Sequence, residues 1–245
     1  MSFIVHEQEL KKGVILAAGD GDRLGSLTNT CPKVLLPVTD KTTLISSPIE
    51  ALVSVGISEI AVVVGYLADK VVDELGDGSE FGVRLQYILN DDYLGGNAVS
   101  LHKAMDWTEG KPVVLCMGDH LIEKGLVRRL LTGQTLTEKL CVDYIPEWHH
   151  QIDEATKVVV DGEGCIKDIG KDLVRWDGLD TGVFMLTGNF FQALDELVRH
   201  LGSNVEISDV IRFLISRGQR FDACNASGCF WMDVDTEDDL NAARP

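Results

Sequence analysis

The residues best equipped for chemistry gather near the start of the chain, in Leu16-Ala17-Ala18-Gly19-Asp20-Gly21-Asp22-Arg23-Leu24, followed by Thr28 and Pro32-Lys33. Gly19 and Gly21 stand where an apolar run gives way to a turn, and free backbone N–H groups there cradle phosphate oxygens. Arg23 brings a planar fork for phosphate, and Lys33 a mobile point charge. Together they can neutralise a triphosphate and the charge that grows on departing pyrophosphate. The glycines alone would equally serve an ordinary turn after a first strand. A dinucleotide-binding loop fits less well, because its third glycine would fall at Leu24.

Carboxylates supply the second half of the chemistry. Met117-Gly118-Asp119-His120 closes an apolar run, and a carboxylate at the C-terminal end of a parallel strand faces the ligand crevice. Mg²⁺ favours carboxylate oxygens together with substrate phosphates, which makes Asp119 a candidate ligand; helix capping is the competing reading. His120 either contacts substrate or packs. In Trp231-Met232-Asp233-Val234-Asp235-Thr236, strand alternation puts Asp233 and Asp235 on one side. Thr236 or Asp235 can cap a terminal helix; of the two acids, Asp235 reads as a cap and Asp233 as a ligand. Two carboxylates beside a triphosphate repel it without a metal, so Mg²⁺ is the expected cofactor. Asp20 and Asp22 add negative charge to the loop and weaken phosphate binding unless Mg²⁺ or an outward orientation offsets it.

These groups need a scaffold. Residues 13–17, 59–64, 83–89 and 112–117 are apolar runs that read as strands, and 48–55, 67–75 and 97–107 read as helices. Their alternation predicts a mostly parallel sheet covered on both faces. The pattern then changes to short strands at 139–145, 156–160, 165–169 and 180–186, with Asp161-Gly162-Glu163-Gly164 as a hairpin turn. Helices at 189–200 and 206–217 follow, and 231–243 gives a strand end and a short helix. No repeat, low-complexity tract or linker interrupts residues 1–245, so a single domain is expected.

Composition limits the partners. A formal charge of −17 disfavours nucleic acid and anionic membrane surfaces, so any anion site must be a local basic cluster. No apolar run reaches the ~18 residues of a membrane helix, and the first twelve residues lack the layout of a signal peptide, so a cytoplasmic location is expected. The six cysteines, at 31, 116, 141, 165, 224 and 229, form no CxxC pair. They read as reduced thiols, and 116, 141 and 165 as apolar filler.

The string from Gly19 through Arg23 and Thr28 to Pro32-Lys33 resembles the signature of the sugar-phosphate nucleotidyltransferase family. Further segments resemble one branch of it: Asn90–Ser100, Gly118-Asp119-His120, Glu154-Ala155-Thr156-Lys157-Val158, Ile169-Gly170-Lys171 and Trp176–Phe184. That branch is the cytidylyltransferases acting on inositol 1-phosphate, and the similarity runs from about residue 13 to 243. The resemblance implies a Rossmann-like α/β fold, a mostly parallel sheet flanked by helices, with a small antiparallel insertion. It implies that Leu16, Ala17, Ala18, Gly19 and Gly21 wrap the nucleotide and that Arg23 and Lys33 act in catalysis. It sets Asn90, Gly96 and Asn97 against pyrimidine and ribose; without it, each asparagine reads as a turn residue. Lys171 would grip the acceptor phosphate, Glu154, Asp180 and Thr181 the polyol hydroxyls, and Asp233 would complete the metal site with Asp119. The implied reaction moves CMP from CTP to a small phosphorylated alcohol, inositol 1-phosphate first among them, and a homodimer is compatible with it. Two rivals are UTP or dTTP with a hexose 1-phosphate, and a nucleotide-sensing subunit without turnover. Some relatives fuse this domain to a membrane domain; this chain ends at Pro245, so a later transfer step is expected from a separate protein.

Overall fold

In the first strand, β1 (Lys12–Ala17), successive side chains point to opposite faces of the sheet, yet every one is buried. Ile15 and Ala17 enter one apolar cluster, and Val14 and Leu16 another. A sheet covered on both faces demands such an unbroken run. The computed structural model describes residues 10–132, 136–146, 152 and 154–244. The absence of a leader expected from residues 1–9 lies outside them.

The elements follow in the order α1 (Ser46–Val53), β2 (Glu59–Val64), α2 (Ala68–Leu75), β3 (Arg84–Leu89), α3 (Asn97–Lys103), α4 (Met105–Thr108), β4 (Val113–Met117) and β5 (His120–Ile122). Next come α5 (Lys124–Leu130), β6 (Lys139–Asp143), β7 (Lys157–Val160), β8 (Ile166–Gly170), β9 (Gly178–Leu186), α6 (Gly188–Leu201), α7 (Ile207–Ser216), β10 (Asp222–Asn225), β11 (Trp231–Asp233) and α8 (Glu237–Ala243). The main sheet runs β10-β6-β9-β4-β1-β2-β3, with the β7–β8 hairpin attached to β9. β4, β1, β2 and β3 are mutually parallel, and β9 runs against both β4 and β6. The expected parallel sheet and antiparallel insertion are both present. The C-terminal ends of β1 and β4 therefore share an edge with the N-terminal end of β9.

The expected helix over 97–107 divides into α3 and α4, which meet at Ala104. The expected start at Leu67 moves to Ala68, because Leu67 is left-handed (φ 49°). The Asp161–Gly164 turn forms as expected: Asp161 Oδ1 accepts from the backbone N–H groups of Glu163 and Cys165, both at 2.9 Å, and Gly164 takes φ 78°. Cys116, Cys141 and Cys165 are buried, as expected of apolar filler, and all six thiols are free.

A third, smaller cluster matters most for position. Leu24, Leu36 and Leu44 from the glycine-loop region meet Leu121 of β5, Val234 and Leu240 of α8. It ties the phosphate-type loop, the end of β4 and the chain after β11 into one unit. β5 and β11 pair antiparallel, with His120 opposite Asp233. Residues more than a hundred positions apart in sequence are thus brought side by side. Among the described residues, no helix is long and apolar enough to cross a membrane.

Candidate active site

A cavity of about 600 Å³ opens at the shared edge of β1, β4 and β9. Leu16, Ala18, Gly19 and Arg23 line one wall, Asp119, His120, Asp233 and Asp235 the floor, and Glu154, Lys171 and Asp180 the far side. The local basic groups that the acidic composition demanded are here.

The loop is built by two constraints. Gly21 has φ +68°, and a Cβ on it would lie 2.9 Å from Lys33 Cβ; glycine fits on both counts. Thr28 Oγ1 donates to Gly21 O and Gly25 O, closing the turn from below. Lys33 is thereby pressed into the floor, with its side chain only 8% exposed. It is not the mobile charge expected: Nζ donates to Asp119 Oδ2 and to Asp235 Oδ1, each at 2.6 Å. Burial pulls its pKa down, but the carboxylates of Asp119, Asp233 and Asp235 push it up further, so it stays charged.

Asp235 is the second correction. Thr236, not Asp235, caps α8, in a reciprocal box with Asp239. Asp235 instead spreads its two oxygens over two cations, Oδ1 on Lys33 and Oδ2 on Arg23 Nη2. Burial raises its pKa, but Lys33, a hydrogen bond with Asp233 and Arg23 outweigh that and hold it down at about 2. Arg23 also reaches across the cavity, with Nη1 2.9 Å from Glu154 Oε2.

Asp119 and Asp233 differ. Burial raises Asp119, but Lys33 and His120 outweigh it, so it remains ionised. Burial drives Asp233 up to about 7 despite His120 and Lys33. Its Oδ1 is buried and has no hydrogen-bond partner among the described residues. One carboxylate oxygen each of Asp233 and Asp119 and a His120 ring nitrogen lie within 4.8 Å of one another. A hard divalent cation suits such oxygens and would satisfy the orphan. His120 Nδ1 contacts Thr181 O at 3.0 Å, which turns Nε2 toward Asp233 Oδ1, 3.5 Å away. Burial lowers the His120 pKa, and Asp233 and Asp119 bring it back above its ordinary value.

The far wall rests on a bulge. Opposite β6, the register of β9 shifts between the partners of Leu140 and Val142. Gly182 sits there with φ +75°, and a Cβ on it would fall 2.5 Å from His120 Nδ1. The bulge re-aims Asp180 into the cavity while its Oδ1 accepts from Gly182 N–H at 2.7 Å. Burial raises Asp180 to about 6.

Several other expected site residues serve the walls. Thr181 is fully buried and its hydroxyl donates to Cys141 O at 2.9 Å. Asn90 is also fully buried: Nδ2 donates to Ser100 Oγ at 2.9 Å, and Oδ1 accepts from Asp92 N–H at 3.0 Å. It braces the loop that carries Tyr93 and Gly95 into the cavity. Gly96 packs so closely on Val205 that a Cβ would meet its carbonyl. Asn97 lines the cavity and its Oδ1 accepts from Ile207 N–H at 2.8 Å. The backbone N–H of Asn97 donates to Glu206 Oε2 at 3.1 Å. Tyr93 and Glu206, both in the wall, were not singled out from sequence. Glu206 was visible only as a helix-start acid three residues before Asp209, and Tyr93 gave no signal of its own.

The chain matches the nucleotidyl transferase family over residues 12–245. It is 32% identical over 235 residues to a bifunctional IPC transferase and DIPP synthase of Aquifex aeolicus, covering 96% of this chain and 51% of that protein. A protein of the same name from Rubrobacter xylanophilus is 34% identical, over 94% of this chain and 50% of its own length. The chain thus spans about half the length of the curated relatives it matches. Among solved structures, the inositol-1-phosphate CTP transferase of T. maritima superposes with a TM-score of 0.81 at 25% identity, covering 96% of this chain and 93% of that one. The glycine loop, the basic pair and the strand-edge carboxylates stand within the matched span, and the chain belongs to the nucleotidyl transferase family.

Proposed function

We propose that this chain transfers CMP from CTP to inositol 1-phosphate, giving CDP-inositol and pyrophosphate, with Mg²⁺ held by Asp119 and Asp233. The observation that carries the reaction class is a buried, orphaned Asp233 oxygen in a cluster with Asp119 and His120, beside two clamped cations, Lys33 and Arg23. The likeness to the T. maritima enzyme supports the substrate pair. When bound, Mg²⁺ supplies positive charge that offsets the phosphate oxygens against the two carboxylates.

The residues of the chain do the rest by position and charge. The loop from Leu16 to Gly21 presents backbone to the nucleotide phosphates. Lys33 and Arg23 exchange carboxylate partners for phosphate oxygens and stabilise the leaving pyrophosphate. Lys171, across the cavity, orients the acceptor phosphate, and Glu154 and Asp180 accept from polyol hydroxyls. The acceptor oxygen attacks the α-phosphorus in line. The acceptor phosphate carries a charge near −2 at neutral pH, so no general base is needed.

Pyrophosphate release with Mg²⁺, measured over CTP, UTP, dTTP, ATP and GTP against inositol 1-phosphate, glucose 1-phosphate and phosphocholine, tests the reading. Release confined to CTP with inositol 1-phosphate is expected. Release with dTTP or UTP and glucose 1-phosphate would keep the chemistry and replace the substrates. Nucleotide binding without release from any pair would point to a sensing subunit.

A further inference from the structure

At the β6 side of the sheet, away from the cavity, lies a group of thiols that the proposed reaction does not use. Cys141 on β6 and Cys224 on β10 are direct register partners in a parallel ladder. Side chains opposite one another in a ladder leave the same face, and strands lie about 5 Å apart, within the span a disulfide bridges. Cys141 is fully buried, whereas Cys224 is half-buried on the edge strand of the sheet. The two environments divide the labour. The Cys141 thiol donates to Leu126 O at 3.5 Å; its closeness to Cys224, with Lys139 and Arg129 nearby, outweighs burial and brings Cys224 down to about 7. Arg129 is held in place by bonds from Nη1 to Asn225 O at 3.2 Å and Ser227 O at 2.9 Å. Burial keeps Cys141 protonated, and it raises Cys229, the third thiol of the group.

We propose that Cys224 and Cys141 form a peroxide-reactive thiol pair, in which Cys224 is oxidised first and Cys141 closes a disulfide. The Cys224 thiolate attacks one oxygen of hydrogen peroxide, the O–O bond breaks, and hydroxide leaves and takes a proton as water. The resulting sulfenic acid is then attacked by the Cys141 sulfur; the S–S bond forms, the S–O bond breaks, and hydroxide leaves as water with the Cys141 proton. Two thiols and one peroxide thus give one disulfide and two waters. The site is not remote in bonding terms: Cys141 O holds the Thr181 hydroxyl, and Thr181 O holds His120.

The test uses the full chain, treated with hydrogen peroxide, blocked with iodoacetamide and mapped by non-reducing peptide mass spectrometry. A Cys141–Cys224 linked peptide, lost on adding dithiothreitol, is expected. Cys229→Ser should leave it intact, and Cys224→Ser should remove it. In Cys141→Ala, Cys224 should instead be trapped as sulfenic acid by dimedone. In untreated protein at pH 7, iodoacetamide should alkylate Cys224 about tenfold faster than Cys229, since the thiolate is the reacting form. Oxidation that falls on Cys31 or Cys229 with Cys224 unmodified, or a Cys224–Cys229 link, would overturn the proposal.

Discussion

On the side of the cavity proposed for the nucleotide, Lys33 is 8% exposed and gripped by Asp119 and Asp235, and Arg23 is bridged to Asp235 as well and to Glu154. On the acceptor side, Lys171 is exposed, and Asp180 is a raised carboxyl set on a strand bulge. The first wall is a preformed charge clamp built on parallel strands; the second is a softer surface carried by the antiparallel insertion. A clamp whose cations are already paired off can wait in an acidic protein without collapsing onto the wrong anion. In the proposed reaction phosphates would displace these carboxylates, which would make binding an exchange of partners. The proposed acceptor wall lacks such pairing on Asp180, so under that proposal shape and hydroxyl acceptors would choose the alcohol.

The largest effects should come from breaking the floor that both walls share. Asp233→Ala or Asp119→Ala should lower kcat by about a thousandfold or more, with thermal melting showing a folded protein. Substantial turnover by Asp233→Ala would break the metal assignment. Next, Lys171→Ala should raise the KM for inositol 1-phosphate by about ten- to a hundredfold and leave that for CTP nearly unchanged. An equal rise in both would erase the distinction between the walls.

Asp235→Asn sharpens the clamp itself. It keeps the shape but removes the carboxylate that phosphates would displace from Lys33 and Arg23, so the KM for CTP should fall about fivefold or more, with a smaller change for the acceptor. If Asp235 acted only as a helix cap, the loss would appear as a lower melting temperature with unchanged KM. The smallest effect is on stability. Asp180 is raised to about 6 in the folded chain from an ordinary value near 3.8. The folded state therefore binds the proton more tightly, so this group's contribution is full below about pH 4 and is lost as pH rises through about 6. Asp180→Asn should gain stability over wild type at pH 7, by on the order of 1–3 kcal/mol relative to the difference at pH 4. Urea midpoints at both pH values check it; a difference independent of pH would contradict the cause assigned.

Much of the scaffold was legible because the central parallel strands β1, β2 and β4 are apolar on both faces, as in the run from Val14 to Ala17. The glycine loop and Asp119 were legible because a strand end followed by a turn limits where a side chain can face. Asp235 was misassigned because an acid between a strand and a helix satisfies two grammars at once; only the distance to Lys33 separates them. The inward turn of Asp180 depends on the bulge at Gly182, and a register shift against a strand forty residues away leaves no local mark. Asn90 is set against the nucleotide only by the resemblance; read by itself it is a turn residue, and its bonds to Asp92 and Ser100 agree with that.

The most direct measurement follows the α-phosphorus. CTP labelled at that position is incubated with inositol 1-phosphate and Mg²⁺, with wild type and with Asp233→Ala. The account predicts that wild type moves the label into CDP-inositol in step with pyrophosphate, and that the variant leaves it in CTP. Label appearing as CMP without the acceptor, or transferred equally well by Asp233→Ala, would contradict it.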